Sequence, residues 1–147
     1  MPEAFRKSGG VYRAAALDAL EWVEHGFGTR DSAGWPEPER TVSLRQIHSD
    51  IVLNVNSELG CIGAGDALVS GCPGALLTIR TADCLPILMV EEERRVVAAV
   101  HAGWRGTASG VVARAVELLC RQFAGEPERL CVAIGPGIGK CCYEVGP

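Results

Sequence analysis

Apolar residues recur at two different periods along this chain, and each change of period marks a boundary between elements. In residues 107–123, Ala108, Val111, Val112, Ala115, Leu118 and Leu119 fall at three-and-four spacing. That spacing predicts one amphipathic helix, with Thr107 or Ser109 available to cap its start. Residues 86–90 and 95–100 are short apolar runs joined by a charged tip, the pattern of a β-hairpin whose second arm ends at His101. Residues 41–55 alternate well enough to predict a single strand, with Gln46 and His48 on one side and Ile47 on the other. Residues 75–80 and 130–134 read as apolar strands, the first stopping at Thr81-Ala82-Asp83-Cys84 and the second at a glycine-rich loop.

The N-terminal part is less regular. Residues 1–20 read as a lead-in followed by a short amphipathic turn or strand, and 22–30 as a strand entering a glycine-punctuated loop. Residues 31–40 are a polar loop, and 58–65 a glycine-rich turn before Asp66-Ala67-Leu68-Val69. Strands therefore dominate, mostly in local hairpins, with one strong helix. The expected class is α+β, a single mixed-sheet layered domain, in preference to a doubly wound sheet.

Composition narrows the function classes. A chain of 147 residues that is 48% hydrophobic and 22% charged suits one domain with a true core. A net charge of -4 argues against broad electrostatic binding to nucleic acid. No apolar run reaches membrane-spanning length, and the N-terminus lacks the apolar stretch of a secretory signal, so a cytoplasmic protein is expected. The seven cysteines then read as reduced thiols. Cys120 and Cys131 lie in apolar elements and read as packing residues, whereas Cys141 and Cys142 are adjacent, a poor geometry for a mutual disulfide.

Chemistry concentrates in three motifs, Arg45-Gln46-Ile47-His48, Thr81-Ala82-Asp83-Cys84-Leu85-Pro86 and His101-Ala102-Gly103-Trp104-Arg105-Gly106. Two imidazoles and a thiolate suit zinc with an open fourth position, although spacings this long require the fold to bring them together. The same set resembles a blue-copper site with Met89 as axial group, but three histidines are too few for a multicopper cluster. Cys84 alternatively reads as a nucleophile or as a buried structural thiol. Between strand and helix, Arg105 and the helix-start amides can face an anion together, and Trp104 is either a flat wall for a base or a core residue. Asp83 is a candidate to orient a metal-bound histidine, Asp66 a turn residue or substrate contact, and His25 a surface-loop residue with no role. The loop 135–139 fits neither the dinucleotide fingerprint nor a P-loop.

These motifs, together with Gly65-Asp66-Ala67-Leu68-Val69, His25-Gly26-Phe27 and the segment from Ile134 to Gly146, resemble the purine nucleoside phosphorylase family long labelled multicopper polyphenol oxidoreductase, or laccase-domain, proteins. The resemblance covers residues 22–147, with 1–21 as an N-terminal lead-in. It implies an α/β/β/α layered sandwich and zinc on His48, Cys84 and His101, with copper as the alternative metal. It also implies cleavage of adenosine- or inosine-type nucleosides by phosphate, and adenosine deamination as an associated activity. Cys84, Asp83 and Arg105 are then the expected catalytic groups, Asp83 ranking ahead of Glu144 as general base. Arg45, Gln46, Arg30 and Trp104 are the expected substrate contacts. Relative to the family pattern the segment between Arg30 and Arg45 is short, and the chain stops at Pro147, so the usual C-terminal part is expected to be lacking. The rival readings are a copper-dependent polyphenol oxidoreductase, a cysteine hydrolase and a non-enzymatic zinc-stabilised domain.

Overall fold

The structure is a computed structural model that describes residues 3–146, so Met1, Pro2 and Pro147 of the expected spans lie outside the described residues. Gly9 and Gly10, both at positive φ, turn the chain between β1 (Phe5–Ser8) and β2 (Val11–Ala14). The short helix α1 (Ala15–Asp18) follows, and β3 (Phe27–Gly28) completes a three-stranded N-terminal sheet in the order β1-β2-β3. Then come β4 (Thr41–Arg45), β5 (Val52–Asn54), β6 (Gly60–Ala64), β7 (Ala67–Ser70) and β8 (Leu76–Leu77). The chain continues with β9 (Leu85–Glu91), β10 (Val96–Ala102), α2 (Trp104–Ser109), α3 (Val111–Phe123) and β11 (Leu130–Ile134).

The central sheet has five strands in the order β11-β9-β10-β7-β5, antiparallel except for the parallel pair β5 and β7. Alternation along β10 decides the layers. Val96, Ala98, Val100 and Ala102 meet Val111, Ala115 and Leu119 of α3 in one apolar cluster, whereas Val97 packs with Phe27, Leu17, Val90 and Ala133 in another. A third cluster joins Val42 and Leu44 of β4 to Leu68 and Val55. Strand β7 is buried along its whole length because both its faces are covered. Each Leu or Val buried in this way contributes about 1.5–3 kcal/mol relative to exposure. The class is mixed α+β, as expected, with α2 and α3 on one face of the central sheet and α1 with the two small sheets on the other. Among the described residues no helix is long and apolar enough to cross a membrane.

Several local expectations are corrected. The hairpin of β9 and β10 forms in register from Glu91↔Val96 to Leu85↔Ala102, but the single helix over 107–123 is two helices. Gly110 stands between them at φ 89 and ψ 33, a left-handed conformation that ends α2 and redirects the chain into α3. Helix α2 starts at Trp104, before the expected start, and neither Thr107 nor Ser109 caps either helix; Gly103 and Gly110 occupy the N-cap positions. The strand over 41–55 breaks after Arg45, because His48 adopts φ 58 and the following residues turn away. Residues 60–64, expected as a turn, form a strand parallel to β4, and β8 also pairs parallel to β4. Local alternation is silent about parallel pairing, since the partners are distant in sequence. The apolar runs at 22–30 and 75–80 contribute only Phe27–Gly28 and Leu76–Leu77 as strand, and the expected lead-in contains a hairpin and a helix.

Candidate metal centre

The register of the β9–β10 hairpin brings two of the three candidate ligands together. Its last pair is Leu85↔Ala102, so the next step sets Cys84 beside Gly103, with His101 one residue back. A Cβ built on Gly103 would lie 3.1 Å from His48 Cδ2, 3.2 Å from Cys84 Sγ and 3.8 Å from His101 Cε1. The absent side chain of Gly103 therefore leaves room for His48 and Cys84, whereas the distance to His101 is an ordinary contact. One ligand atom from each of His48, Cys84 and His101 lies within 4.8 Å of the others, a little wider than the roughly 3.3–3.8 Å between donors of one tetrahedral zinc ion. The two imidazoles meet edge to face, with ring centroids 5.0 Å apart.

His48 reaches the hairpin from a loop that Asp66 builds. The Asp66 carboxylate is fully buried and accepts the N–H groups of Ile47 at 3.2 Å, His48 at 3.0 Å and Ser49 at 2.7 Å. It also accepts the Ser49 hydroxyl at 2.7 Å and faces His101 Nδ1 at 2.8 Å. Burial pushes this carboxyl up, but the hydrogen bonds from His101, Ser49 and Ile47 outweigh burial and hold it below the ordinary carboxylate range. It is thus an acceptor facing His101 Nδ1, a pairing that favours the tautomer with its proton on that nitrogen. That tautomer leaves Nε2 with its lone pair, the form a metal requires.

Cys84 is half-buried, and its thiol is pushed up by burial and by the negative charges of Asp83 and Asp66. A bound cation reverses that balance by favouring the thiolate. The donor set, two imidazoles and one thiol on three segments that meet around a glycine, suits a single ion that leaves one coordination position open.

The other sequence candidates distribute around this centre. Trp104 is 50% exposed at the first turn of α2, so it is not a core residue, and the Arg105 guanidinium lies 5.3 Å from its ring centroid. Asp83 is exposed and makes no hydrogen bond to either histidine; the residue bonded to His101 is Asp66. The Asp83 carbonyl instead accepts the Ile138 N–H, which lays the loop 135–139 against the Cys84 segment. Arg45 and Arg30 are exposed, while Gln46 accepts the Arg80 N–H and donates its amide to the Arg80 carbonyl, both at 2.7 Å. A cavity of about 1020 Å³ lies between the N-terminal segment around Phe27 and Trp35, β8 and the β9–β10 hairpin; Gln46, Arg80, Thr81 and Ala82 are among its lining, and none of the three candidate ligands is.

Other assignments change. His25 is not a surface residue; it is buried and its Nε2 accepts the Ala14 N–H at 3.0 Å. Met89 sits in the core facing α3, whereas His101 follows Val100 on the opposite face, so no axial thioether is available. Cys141 and Cys142 are exposed free thiols with sulfurs 3.3 Å apart. Ser49 is what sequence reasoning missed, together with the role of Asp66, which, expected as a turn residue or substrate contact, instead bonds His101 and the 47–49 loop. The one signal was an aspartate between Gly65 and an apolar strand, where a charge has to be hydrogen-bonded to be buried.

Fold and site together define a small α+β domain with a candidate single-ion centre at the end of its central sheet. The chain belongs to the family described as multi-copper polyphenol oxidoreductase laccase, whose model matches residues 18–147. It is 36% identical over 117 residues to a purine nucleoside phosphorylase of Clostridium acetobutylicum, covering 80% of this chain and 49% of that protein. It is 39% identical over 94 residues to adenosine deaminase RL5 of an unknown prokaryotic organism, covering 64% and 36% respectively. The crystal structure of YlmD from Geobacillus stearothermophilus superposes with a TM-score of 0.84 at 28% identity, covering 97% of this chain and 68% of that one. The chain thus spans about half the length, or less, of the curated relatives it matches.

Proposed function

We propose that the chain carries the zinc centre of a purine nucleoside phosphorylase that cleaves adenosine- or inosine-type nucleosides with phosphate, with adenosine deamination as a second reaction of the same site. The observation that carries this reading is the convergence of His48, Cys84 and His101 around Gly103, in a family whose relatives bear those two activity names. Zinc bound there supplies Lewis acidity at an open coordination position. Arg105, exposed in the first turn of α2 two residues after Gly103, is the proposed phosphate contact through charge-assisted hydrogen bonds, with Arg45 and Arg30 as further contacts. The exposed face of Trp104 offers a stacking surface for the purine, and Gln46 is a further proposed substrate contact. In phosphorolysis a phosphate oxygen attacks the ribose anomeric carbon, the glycosidic bond breaks, and the purine leaves with the electron pair and a proton. Asp83, exposed next to Cys84, is the proposed group to handle that proton. A cytoplasmic location belongs to the same proposal and is supported by the seven free thiols.

The test is incubation of the purified protein with adenosine or inosine and phosphate. Free base and ribose 1-phosphate are the expected products, lost in His101→Ala; no turnover by zinc-loaded protein ends the proposal. Copper is the second reading, favoured by the family description and by the two-histidine, one-cysteine set. Only two of the three histidines are at the centre, since His25 is bonded to the N-terminal hairpin, and two imidazoles do not build a multicopper cluster. Metal analysis of protein purified without added copper separates the two, because copper with oxidase activity displaces the zinc reading.

A further inference from the structure

Both histidines of the centre depend on one buried group that belongs to neither of their segments. Asp66 immediately precedes β7, the strand next to β10, and its own backbone carbonyl accepts the His101 N–H at 2.8 Å. Its carboxylate Oδ1 faces the same residue's ring Nδ1 at 2.8 Å, so main chain and side chain of Asp66 grip one histidine at two points. The same Oδ1 accepts the His48 N–H, while Oδ2 takes the amides of Ile47 and Ser49 and the Ser49 hydroxyl. Those bonds hold His48 at its positive φ of 58, a conformation a histidine seldom adopts without such support. The surrounding backbone is close-packed to match. The Asp66 and Ala67 amides donate to the Ile51 carbonyl, and a Cβ on Gly106 would stand 2.9 Å from the Ser49 carbonyl.

We propose that Asp66 is the positioning residue of the metal centre: its carboxylate fixes the Nδ1–H tautomer of His101, leaving Nε2 to the ion, and its hydrogen bonds to the 47–49 loop set His48 against the same point. This assignment rests on the metal reading of the previous section. A carboxylate that accepts the distal N–H of a ligating histidine fixes the ring and raises its basicity, and losing such a partner typically costs about 10–100-fold in metal affinity. Aspartate suits the position because the backbone amides and the imidazole demand an acceptor on both oxygens, which an amide side chain cannot offer.

Two measurements test it. In metal-free wild-type protein at a pH where the ring is neutral, nitrogen-15 NMR of His101 is expected to show the proton on Nδ1; a proton on Nε2 overturns the proposal, whatever any variant does. In zinc titrations, folded Asp66→Asn is expected to bind about 10–100-fold more weakly than wild type. Its cobalt form is expected to have altered visible bands. Wild-type affinity and an unchanged cobalt spectrum in folded Asp66→Asn also overturn it. Failure of the metal reading itself looks different: there wild-type protein takes up neither zinc nor cobalt, whereas failure of Asp66 alone leaves wild type and variant loading equally.

Discussion

At the scale of single residues, the centre depends on what is missing at Gly103 as much as on its ligands. The backbone of Gly103, at φ -74 and ψ 169, is open to any L-residue, so the glycine is required by space and not by conformation. Gly103→Ala is therefore expected to leave stability unchanged or slightly raised, since removing a glycine from a compatible backbone gains about 0.4–1 kcal/mol. Its methyl group would press on His48 and Cys84 at 3.1 and 3.2 Å, and zinc affinity is expected to fall. A loss of about tenfold corresponds to ~1.4 kcal/mol. Urea unfolding and zinc titration of the same preparation separate the two effects; an unaltered affinity would show that the ligands approach the ion from elsewhere. His25 makes a second case. Burial pulls its pKa down, with the Asp18 charge opposing and the Arg13 charge assisting, and the neutral ring accepts the Ala14 amide. A histidine whose folded pKa is depressed binds fewer protons folded than unfolded, so its stability contribution is complete above about pH 6.5 and is lost as pH falls below that value. The melting temperature of wild type is expected to drop between neutral and mildly acidic pH by more than that of His25→Gln. Parallel pH curves for the two proteins would count against this account.

At the scale of elements, the break between α2 and α3 shows how one glycine changes what a helical pattern yields. The apolar positions of 107–123 are continuous, and α3 uses them as expected, burying Val111, Ala115 and Leu119 against β10. Gly110 nevertheless sits at φ 89 with nothing within 4 Å of a built Cβ. Gly110→Ala is therefore a purely conformational change, expected to cost about 1–2 kcal/mol in unfolding free energy. Denaturant midpoints measure it, and a neutral substitution would mean that the two helices can fuse. The break also has a functional consequence. A continuous helix from residue 107 would leave Trp104 and Arg105 in a loop, whereas α2 fixes both in its first turn beside the metal centre. The β9–β10 hairpin does the corresponding work for Cys84 and His101. Its fixed register makes them neighbours as soon as the hairpin forms, and both motifs are legible because their contacts are local in sequence.

At the scale of the whole molecule, three apolar clusters hold the layers together, and none of them includes a candidate metal ligand. If the proposed zinc centre and phosphorolysis hold, a chelator is accordingly expected to abolish turnover while far-ultraviolet circular dichroism at 25 °C stays unchanged. Unfolding on chelation would instead identify a domain that the metal stabilises. The sequence by itself determined the α+β class, the β9–β10 hairpin, the amphipathic face of α3 and the identity of the three candidate ligands, because hydrophobic period and local motifs encode them. Only the tertiary structure decided that His48 joins Cys84 and His101. That approach requires the strand to break after Arg45, and the break is stabilised by hydrogen bonds to Asp66, which local alternation cannot register. Tertiary structure likewise decided that β4 pairs in parallel with β6 and β8, and that a charged aspartate belongs in the interior. The physical reason is common to all of these. A residue's own neighbours in the chain set its period and propensity, but a buried carboxylate is stable only where distant segments bring it donors, and those donors exist only once the chain has folded.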